Sequence, residues 1–224
     1  MVEAHPARRV SISGLYALSP EIADTAILTE RVAAALSGGA SAVQYRNKAA
    51  SPKLRLAQAL ALRELCAVRG ATFIVNDDVE LAAAAGADGV HLGRDDAAIA
   101  VARARLGPNA VIGASCYDSL ARAEAAVRAG VDYIAFGSFF PSKVKPQAIR
   151  AHTSLLTAAR AQWGVGIVAI GGITPANAGP LLAAGADALA VISALFDAPD
   201  ARGVGAAARA FAALFAWQRM GHPA

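Results

Sequence analysis

Several features that mark specialised protein classes are scarce in this chain. It has two cysteines, Cys66 and Cys116, among 224 residues. Their positions do not match the spacing of a metal-ligating set. So few thiols argue against a disulfide framework and point to two small packing residues in a reduced, cytoplasmic protein. Charged residues make up only 17% of the chain, and the formal net charge of +4 is spread thinly. No run of five or six basic residues occurs, so a nucleic-acid footprint is not expected. The segment Met1–Arg9 carries His5, Pro6, Arg8 and Arg9 but no apolar stretch, so no secretory signal is expected.

A mean hydropathy of +0.43 raises the question of a membrane span. The longest stretch without a charged side chain is Ala161–Ala186, interrupted by glycines and by Pro175 and Pro180. It reads as a buried strand, a turn and a short helix rather than a spanning segment. No low-complexity linker divides the chain, which is read as one domain over residues 1–224 with loose tails at 1–12 and 219–224. A homo-oligomer is compatible with the sequence.

What is abundant is apolar: 56% of the residues are hydrophobic, and alanine is common. Disorder is therefore not expected, and the length suits one α/β barrel. A weak repeat runs through the chain. Gly39-Ala40-Ser41-Ala42-Val43-Gln44 resembles Gly86-Ala87-Asp88-Gly89-Val90-His91, and Gly130-Val131-Asp132 and Gly185-Ala186-Asp187 open two further copies. Each follows an Ala-rich stretch, with the glycine where helices end and a short apolar strand after it. Filling the intervals predicts strands at Gly14–Ser19, Ala42–Arg46, Thr72–Asn76, Gly89–Leu92, Val111–Ser115, Tyr133–Gly137, Gly166–Ile170 and Ala188–Ile192. The helices between them are Ile22–Leu36, Pro52–Arg69, Val79–Ala85, Asp95–Leu106, Asp118–Ala129, His152–Trp163, Pro175–Ala184 and Asp200–Gln218. Strands so uniformly apolar belong to a parallel sheet buried on both faces. Eight βα units in this length favour a single closed (β/α)₈ TIM barrel over an open doubly wound sheet.

In such barrels the chemistry sits at the C-terminal strand ends. Polar residues collect there and hardly at all at the opposite ends. Strand alternation puts Gln44, Arg46 and Lys48 on one face, a set that suits a multiply charged anion rather than a core. Lys145 and Asn76 join this cationic group. A diphosphate would still benefit from a metal, and Asp77 with Asp96 offers two carboxylates for Mg²⁺. Taken alone, an Asp pair is more often helix capping, which is the role expected of Asp78 and Asp95. Gly171-Gly172, with Thr174 as N-cap, Pro175 at the first helical position and Ser193 opposite, suits a single phosphate. Ser115 has no Gly-x-Ser-x-Gly elbow and no indicated His or Asp partner, so a hydrogen bond to a leaving phosphate is expected rather than nucleophilic attack. His91 reads as a satisfied barrel histidine.

Assembled, these residues resemble the thiamine-phosphate synthase family. The match runs through Gln44-x-Arg46-x-Lys48, Asn76-Asp77-Asp78, His91-Leu92-Gly93-x-x-Asp96 and Gly113-x-Ser115. It continues in Phe140-Pro141-Ser142-x-x-Lys145, Ile170-Gly171-Gly172-Ile173-Thr174 and Val191-Ile192-Ser193. Each piece is weak; seven in order, from about Leu15 to Leu195, are specific. The resemblance implies coupling of a hydroxymethylpyrimidine diphosphate to a thiazole phosphate, with release of diphosphate. It implies that Gln44, Tyr45, Arg46, Asn47, Lys48, Asn76, Ser115 and Lys145 hold the pyrimidine diphosphate. Arg46, Lys48, Ser115 and Lys145 would carry the chemistry, and Asp77 and Asp96 would ligate Mg²⁺. Ser142, Lys143 and Val144, with Gly172, Ile192 and Ser193, would hold the thiazole phosphate. Three positions depart from the family: Ser142 and Val144 each replace a threonine, Ser142 keeping a hydroxyl and Val144 losing it, and Arg94 replaces a glutamine. A metal-independent thiazole tautomerase and a non-catalytic phosphate-binding barrel are the competing readings. Neither has use for Arg46, Lys48, Asp77 and Asp96 together.

Overall fold

A computed structural model describes residues 12–93, 98–141 and 150–219. The chain opens with β1 (Gly14–Leu18), α1 (Thr25–Ser37), β2 (Ala40–Tyr45) and α2 (Pro52–Arg69), then β3 (Thr72–Asn76) and α3 (Val79–Ala85). Next come β4 (Gly89–Leu92), α4 (Ile99–Leu106), β5 (Val111–Tyr117), α5 (Leu120–Arg128) and β6 (Tyr133–Phe136). The last part holds α6 (Ser154–Gln162), β7 (Gly166–Ile170), α7 (Gly179–Ala183), β8 (Ala188–Val191), α8 (Ser193–Phe196) and α9 (Ala201–Arg219). Every strand pairs in parallel with its neighbour in sequence, and β8 returns to β1, so the predicted barrel is closed.

Closure divides each strand into two faces. Leu15, Val43, Phe73, Val90, Ile112 and Ile134 point outward and pack beneath the helices. Tyr16, Ala42, Ile74, Val111, Tyr133 and Val168 point inward and fill the barrel. Ile12, grouped with the N-terminal tail from sequence, is instead buried in that interior. The rest of that tail and residues 220–224 lie outside the described residues.

Capping explains where helix boundaries differ from expectation. Helix α1 starts at Thr25 rather than Ile22, because the Asp24 carboxylate accepts from the N–H groups of Ala26 and Ile27. Ser119 caps α5 in the same way, two residues later than predicted. The expected cap at Thr174-Pro175 is overturned. The Asn177 side chain accepts from the Thr174 N–H and donates to the Gly172 carbonyl, closing a turn, and helix α7 begins only at Gly179. The local turn satisfies the backbone that a longer helix would have used. The described part of α4 starts at Ile99; the predicted start at Asp95 lies outside the described residues.

The repeat has a structural reason at the N-terminal end of the barrel. Asp88, Asp132 and Asp187, each just before a strand, each exchange a pair of hydrogen bonds with the preceding strand. Their backbone N–H groups donate to the carbonyls of Phe73, Ile112 and Ile167. Their carboxylates accept from the N–H groups of those same three residues. Arg63, Arg103 and Arg160 pair with the three carboxylates from the helix layer. In the fourth copy Ser41 stands at the aspartate position and donates to the carbonyls of Ser13 and Leu15 instead. The Arg103–Asp132 pair is the most protected, at 2.7 Å with the aspartate side chain 3% exposed. Asp132→Ala leaves the half-buried Arg103 guanidinium without its carboxylate and the buried Ile112 N–H without its acceptor. Urea unfolding should show a loss of about 3 kcal/mol, with turnover per folded molecule unchanged.

Candidate active site

The rim at the C-terminal strand ends encloses two adjoining cavities. An inner one of about 630 Å³ sits over the barrel mouth and is bordered by Gln44, His91, Ser115, Gly172, Ile192 and Ser193. An outer one of about 610 Å³ lies beside the ends of β2 and β3 and is bordered by Asn47, Lys48, Arg55, Asp77 and Asp78. Arg46 and Asn76 line both. The predicted one-face arrangement on β2 therefore takes a graded form. Gln44 is buried inside the barrel, Arg46 stands at its lip, and Lys48 reaches over the outer cavity.

Tyr45 and Asn47, the alternate residues, turn toward the helices. The Tyr45 hydroxyl donates to the Gln58 side-chain oxygen at 2.8 Å, and the Asn47 amide donates to the same atom at 3.1 Å. Burial pushes the Tyr45 phenol up to about 12. These two side chains brace the strand end against α2. Their access to a ligand runs along the wall of the outer cavity.

Among the described residues, the rim cations Arg46, Lys48 and Arg55 each have a carboxylate partner. Arg46 binds the Glu21 carboxylate at 2.5 Å, and its backbone N–H donates to the Ser19 hydroxyl at 2.9 Å. Lys48 lies 2.8 Å from Asp77. Such partly exposed pairs are worth about 0–1 kcal/mol, too little to commit either cation to its partner. Asp77 itself has φ +64, uncommon outside glycine, and its N–H donates to the His91 carbonyl at 2.8 Å. That conformation turns the chain at the tip of β3. Asp78 behaves as its sequence position suggests, capping α3 through the Leu81 N–H and pairing with Arg55 at 2.9 Å.

Beneath the inner cavity runs a continuous line of hydrogen bonds. The Gln44 amide nitrogen donates to the Tyr16 hydroxyl at 2.8 Å, and Tyr16 and Tyr133 hydroxyls are 3.0 Å apart. The Tyr133 hydroxyl meets His91 Nδ1 at 2.9 Å, and His91 Nε2 meets the Ser115 hydroxyl at 2.8 Å. Burial raises both phenol pKa values, so both stay protonated. Burial also pulls the His91 imidazole down to about 4, partly opposed by the Asp77 carboxylate.

His91 is thus the satisfied barrel histidine expected from sequence. Ser115, expected without a histidine partner, does have one. The β4–β5 register sets His91 opposite Gly113, so Ser115, two residues on, shares the same inward face. No carboxylate orients the imidazole from its other side, where a phenol stands, so the arrangement is not a nucleophile triad.

On the opposite side of the mouth, Gly171 and Gly172 have φ +105 and +63. A Cβ on Gly172 would meet the Pro141 carbonyl oxygen at 2.3 Å, so only glycine lets the β6 and β7 loops approach this closely. Ser193 opens the single-turn α8, whose first N–H groups have no partner within the helix. Asp96, Ser142, Lys143, Val144 and Lys145, with Arg94 and Asp95, lie outside the described residues. Among the described residues no cluster of three or more His, Cys, Asp or Glu side chains forms a metal site. Both cysteines are buried and unpaired, and burial pushes each thiol up to about 12. They are packing groups, not nucleophiles.

Two site residues were missed in the sequence. Glu21 lies in the β1–α1 loop, and nothing local marks it as the partner of Arg46. Tyr133 was counted as an apolar strand residue. Its inward parity with Ala135 is the signal that could have placed its hydroxyl in the barrel.

A closed parallel barrel whose rim groups Arg46, Lys48, Asn76 and Asp77 opposite a Gly-Gly turn belongs to the anion-handling (β/α)₈ class. Within it, the sequence pattern described as thiamine monophosphate synthase matches residues 15–195. A thiamine-phosphate synthase of Thiobacillus denitrificans is 59% identical over 189 residues, 84% of this chain and 90% of that protein. One from Chromobacterium violaceum is 57% identical over 204 residues, 91% of this chain and 97% of that protein. The solved structure of thiamine phosphate pyrophosphorylase from Pyrococcus furiosus superposes with a TM-score of 0.78 at 36% identity, covering 90% of this chain and 94% of that one. The chain belongs to the thiamine monophosphate synthase family.

The buried imidazole has a consequence for acid stability. An unfolded histidine titrates near about 6.5. Between there and about 4 the unfolded chain takes up a proton that the folded chain refuses. Stability should therefore be flat above about pH 6.5 and fall by about 3 kcal/mol as the pH drops toward 4. Urea unfolding across this window should show that slope in the wild type and lose it in His91→Gln.

Proposed function

We propose that this chain is a transferase that joins a hydroxymethylpyrimidine diphosphate to a thiazole phosphate, forming thiamine phosphate and free diphosphate. The observation that carries the reading is the gathering of Arg46, Lys48, Asn76 and Asp77 on one rim, with Arg46 and Asn76 lining the same inner cavity as Ser115. A barrel that bound only a thiazole phosphate, as a tautomerase or a binding protein, would have no use for this second anion site.

The bond that breaks joins the pyrimidine methylene carbon to the diphosphate oxygen, and the electron pair leaves with the oxygen. The electron-rich pyrimidine supports the cation that develops, and the thiazole nitrogen lone pair closes the new C–N bond. No protein nucleophile is needed; the demands are leaving-group stabilisation, alignment and exclusion of water. Arg46 and Lys48 would exchange their carboxylate partners for diphosphate oxygens, with Lys145 adding a third cation. Ser115 would donate a hydrogen bond to the departing group. The inner cavity walls, Val168, Ile170, Ala190 and Ile192, would keep water from the cation. Gly172 and Ser193 would hold the thiazole phosphate through backbone N–H groups, and the family resemblance adds Ser142, Lys143 and Val144 to that role.

For Mg²⁺, the hard carboxylate of Asp77 fits. Its side chain is 29% exposed, faces the outer cavity, and already lies against one cation, Lys48. Asp96 would be its partner, and waters with substrate phosphates would complete six oxygens. The ion would supply positive charge to the diphosphate as it leaves. The two buried thiols are in keeping with a reduced cytoplasmic setting. Among the described residues no helix is long and apolar enough to cross a membrane.

Mixing both substrates with the purified chain should release diphosphate in the presence of Mg²⁺ and stop when a chelator is added. Arg46→Ala and Asp77→Ala should each lower kcat by about 10²–10³ while circular dichroism stays that of the folded barrel. Turnover near wild type in either variant, at saturating Mg²⁺, removes the role assigned to that residue.

A further inference from the structure

We propose that Tyr16, Tyr133 and His91 are positioning residues, forming a one-way hydrogen-bond relay that keeps the Ser115 hydroxyl proton turned outward into the inner cavity. The inference rests on the reading above, in which Ser115 meets an anionic leaving group.

The relay links five side chains from five strands. Gln44 on β2, Tyr16 on β1, Tyr133 on β6, His91 on β4 and Ser115 on β5 are joined by four contacts of 2.8 to 3.0 Å. An apolar barrel centre of the same volume would need no such chain, and each polar group buried here is costly without a partner. The chain is also unbranched; its ends, Gln44 and Ser115, border the inner cavity, as do Tyr16 and His91, while Tyr133 lies behind the lining. Its middle is rigid. Tyr16 and Tyr133 meet edge to face with ring centres 6.1 Å apart, and His91 stacks on Tyr133 at 5.5 Å.

Direction follows from counting protons. The Gln44 amide N–H donates to Tyr16, so the single Tyr16 proton passes to the Tyr133 oxygen. The Tyr133 proton then goes to His91 Nδ1, which leaves the neutral imidazole protonated at Nε2. That N–H donates to the Ser115 oxygen. With its lone pair engaged from behind, Ser115 has its own proton free for the cavity. The reverse direction would have Ser115 donate inward to Nε2 and present only lone pairs to the cavity. An anion attracted by Arg46 and Lys48 would be repelled by that arrangement. The rim's cations and the relay thus favour the same ligand charge.

Nitrogen-15 NMR of histidine-labelled wild-type protein tests the direction without any substitution. Expected is a His91 signal with pyrrole-type Nε2 and pyridine-type Nδ1, alone and with inorganic diphosphate plus Mg²⁺. The opposite tautomer in the diphosphate complex overturns the relay. Kinetics test its purpose. Tyr133→Phe removes the donor to Nδ1 and should lower kcat about tenfold, the worth of one oriented hydrogen bond to a charged group, with KM for the thiazole phosphate unchanged. The same substitution in a Ser115→Ala background should have no further effect, because the relay acts only through that hydroxyl. An equal tenfold drop in both backgrounds marks a structural role and overturns the proposal. His91→Gln, which offers an amide N–H where Nε2 was, should retain more activity than His91→Asn, which offers one at the Nδ1 position. Equal losses count against the relay. Ser115→Ala separates the two levels. Unchanged turnover there defeats the leaving-group role of Ser115 itself. A slowed Ser115→Ala beside an unaffected Tyr133→Phe defeats the relay alone.

Discussion

Closing a parallel sheet on itself leaves its inward side chains only two outlets to water, the two mouths of the barrel. Every polar group on the inner face must either reach a mouth or find a partner inside. Arg46 and Lys48 reach the C-terminal mouth, as does Asp77. Gln44, Tyr16 and His91 only line the floor of the inner cavity and Tyr133 lies beneath it, and they satisfy one another in a single file that ends at Ser115. The site's character follows from this constraint. Charges stand at the lip, a neutral hydrogen-bonded line lies below them, and apolar residues fill the remainder.

The two ends of the barrel are specialised by the same chemistry used differently. At the N-terminal end Asp88, Asp132 and Asp187 are tied both to strand N–H groups and to arginines from the helix layer, so their charge is consumed in holding neighbouring strands together. At the C-terminal end the carboxylates of Glu21 and Asp77 hold cations that remain partly open to solvent. One arrangement is committed to stability; the other is exchangeable. In the proposed reaction an incoming diphosphate would have only weak, partly exposed pairs to replace.

How far the sequence could be read depended on whether a feature was local. The eight strands were legible because each is a short apolar run after a helix-ending glycine such as Gly86 or Gly130. The Gln44, Arg46 and Lys48 set was legible because strand parity is a property of consecutive residues. Asp78 was recognisable as a cap from its place just before Val79. The Thr174-Pro175 cap failed because Asn177 offered those backbone groups a closer turn. The histidine partner of Ser115 was missed because it depends on the register between β4 and β5, and the Glu21–Arg46 pair because it joins two loops.

By itself the sequence determined the alternation of strands and helices, the end of each strand where polar residues gather, and the family to which the chain belongs. All of these are written in spacings of a few residues or in motifs kept in order. Only the tertiary structure decided that Tyr16 and Tyr133 meet across the barrel, that His91 sits neutral between a phenol and Ser115, and that Arg46 and Lys48 each have a carboxylate beside them. Those contacts join residues up to 117 positions apart, and their distances exist only once β8 has paired with β1 and the curvature of the closed sheet brings opposite walls together.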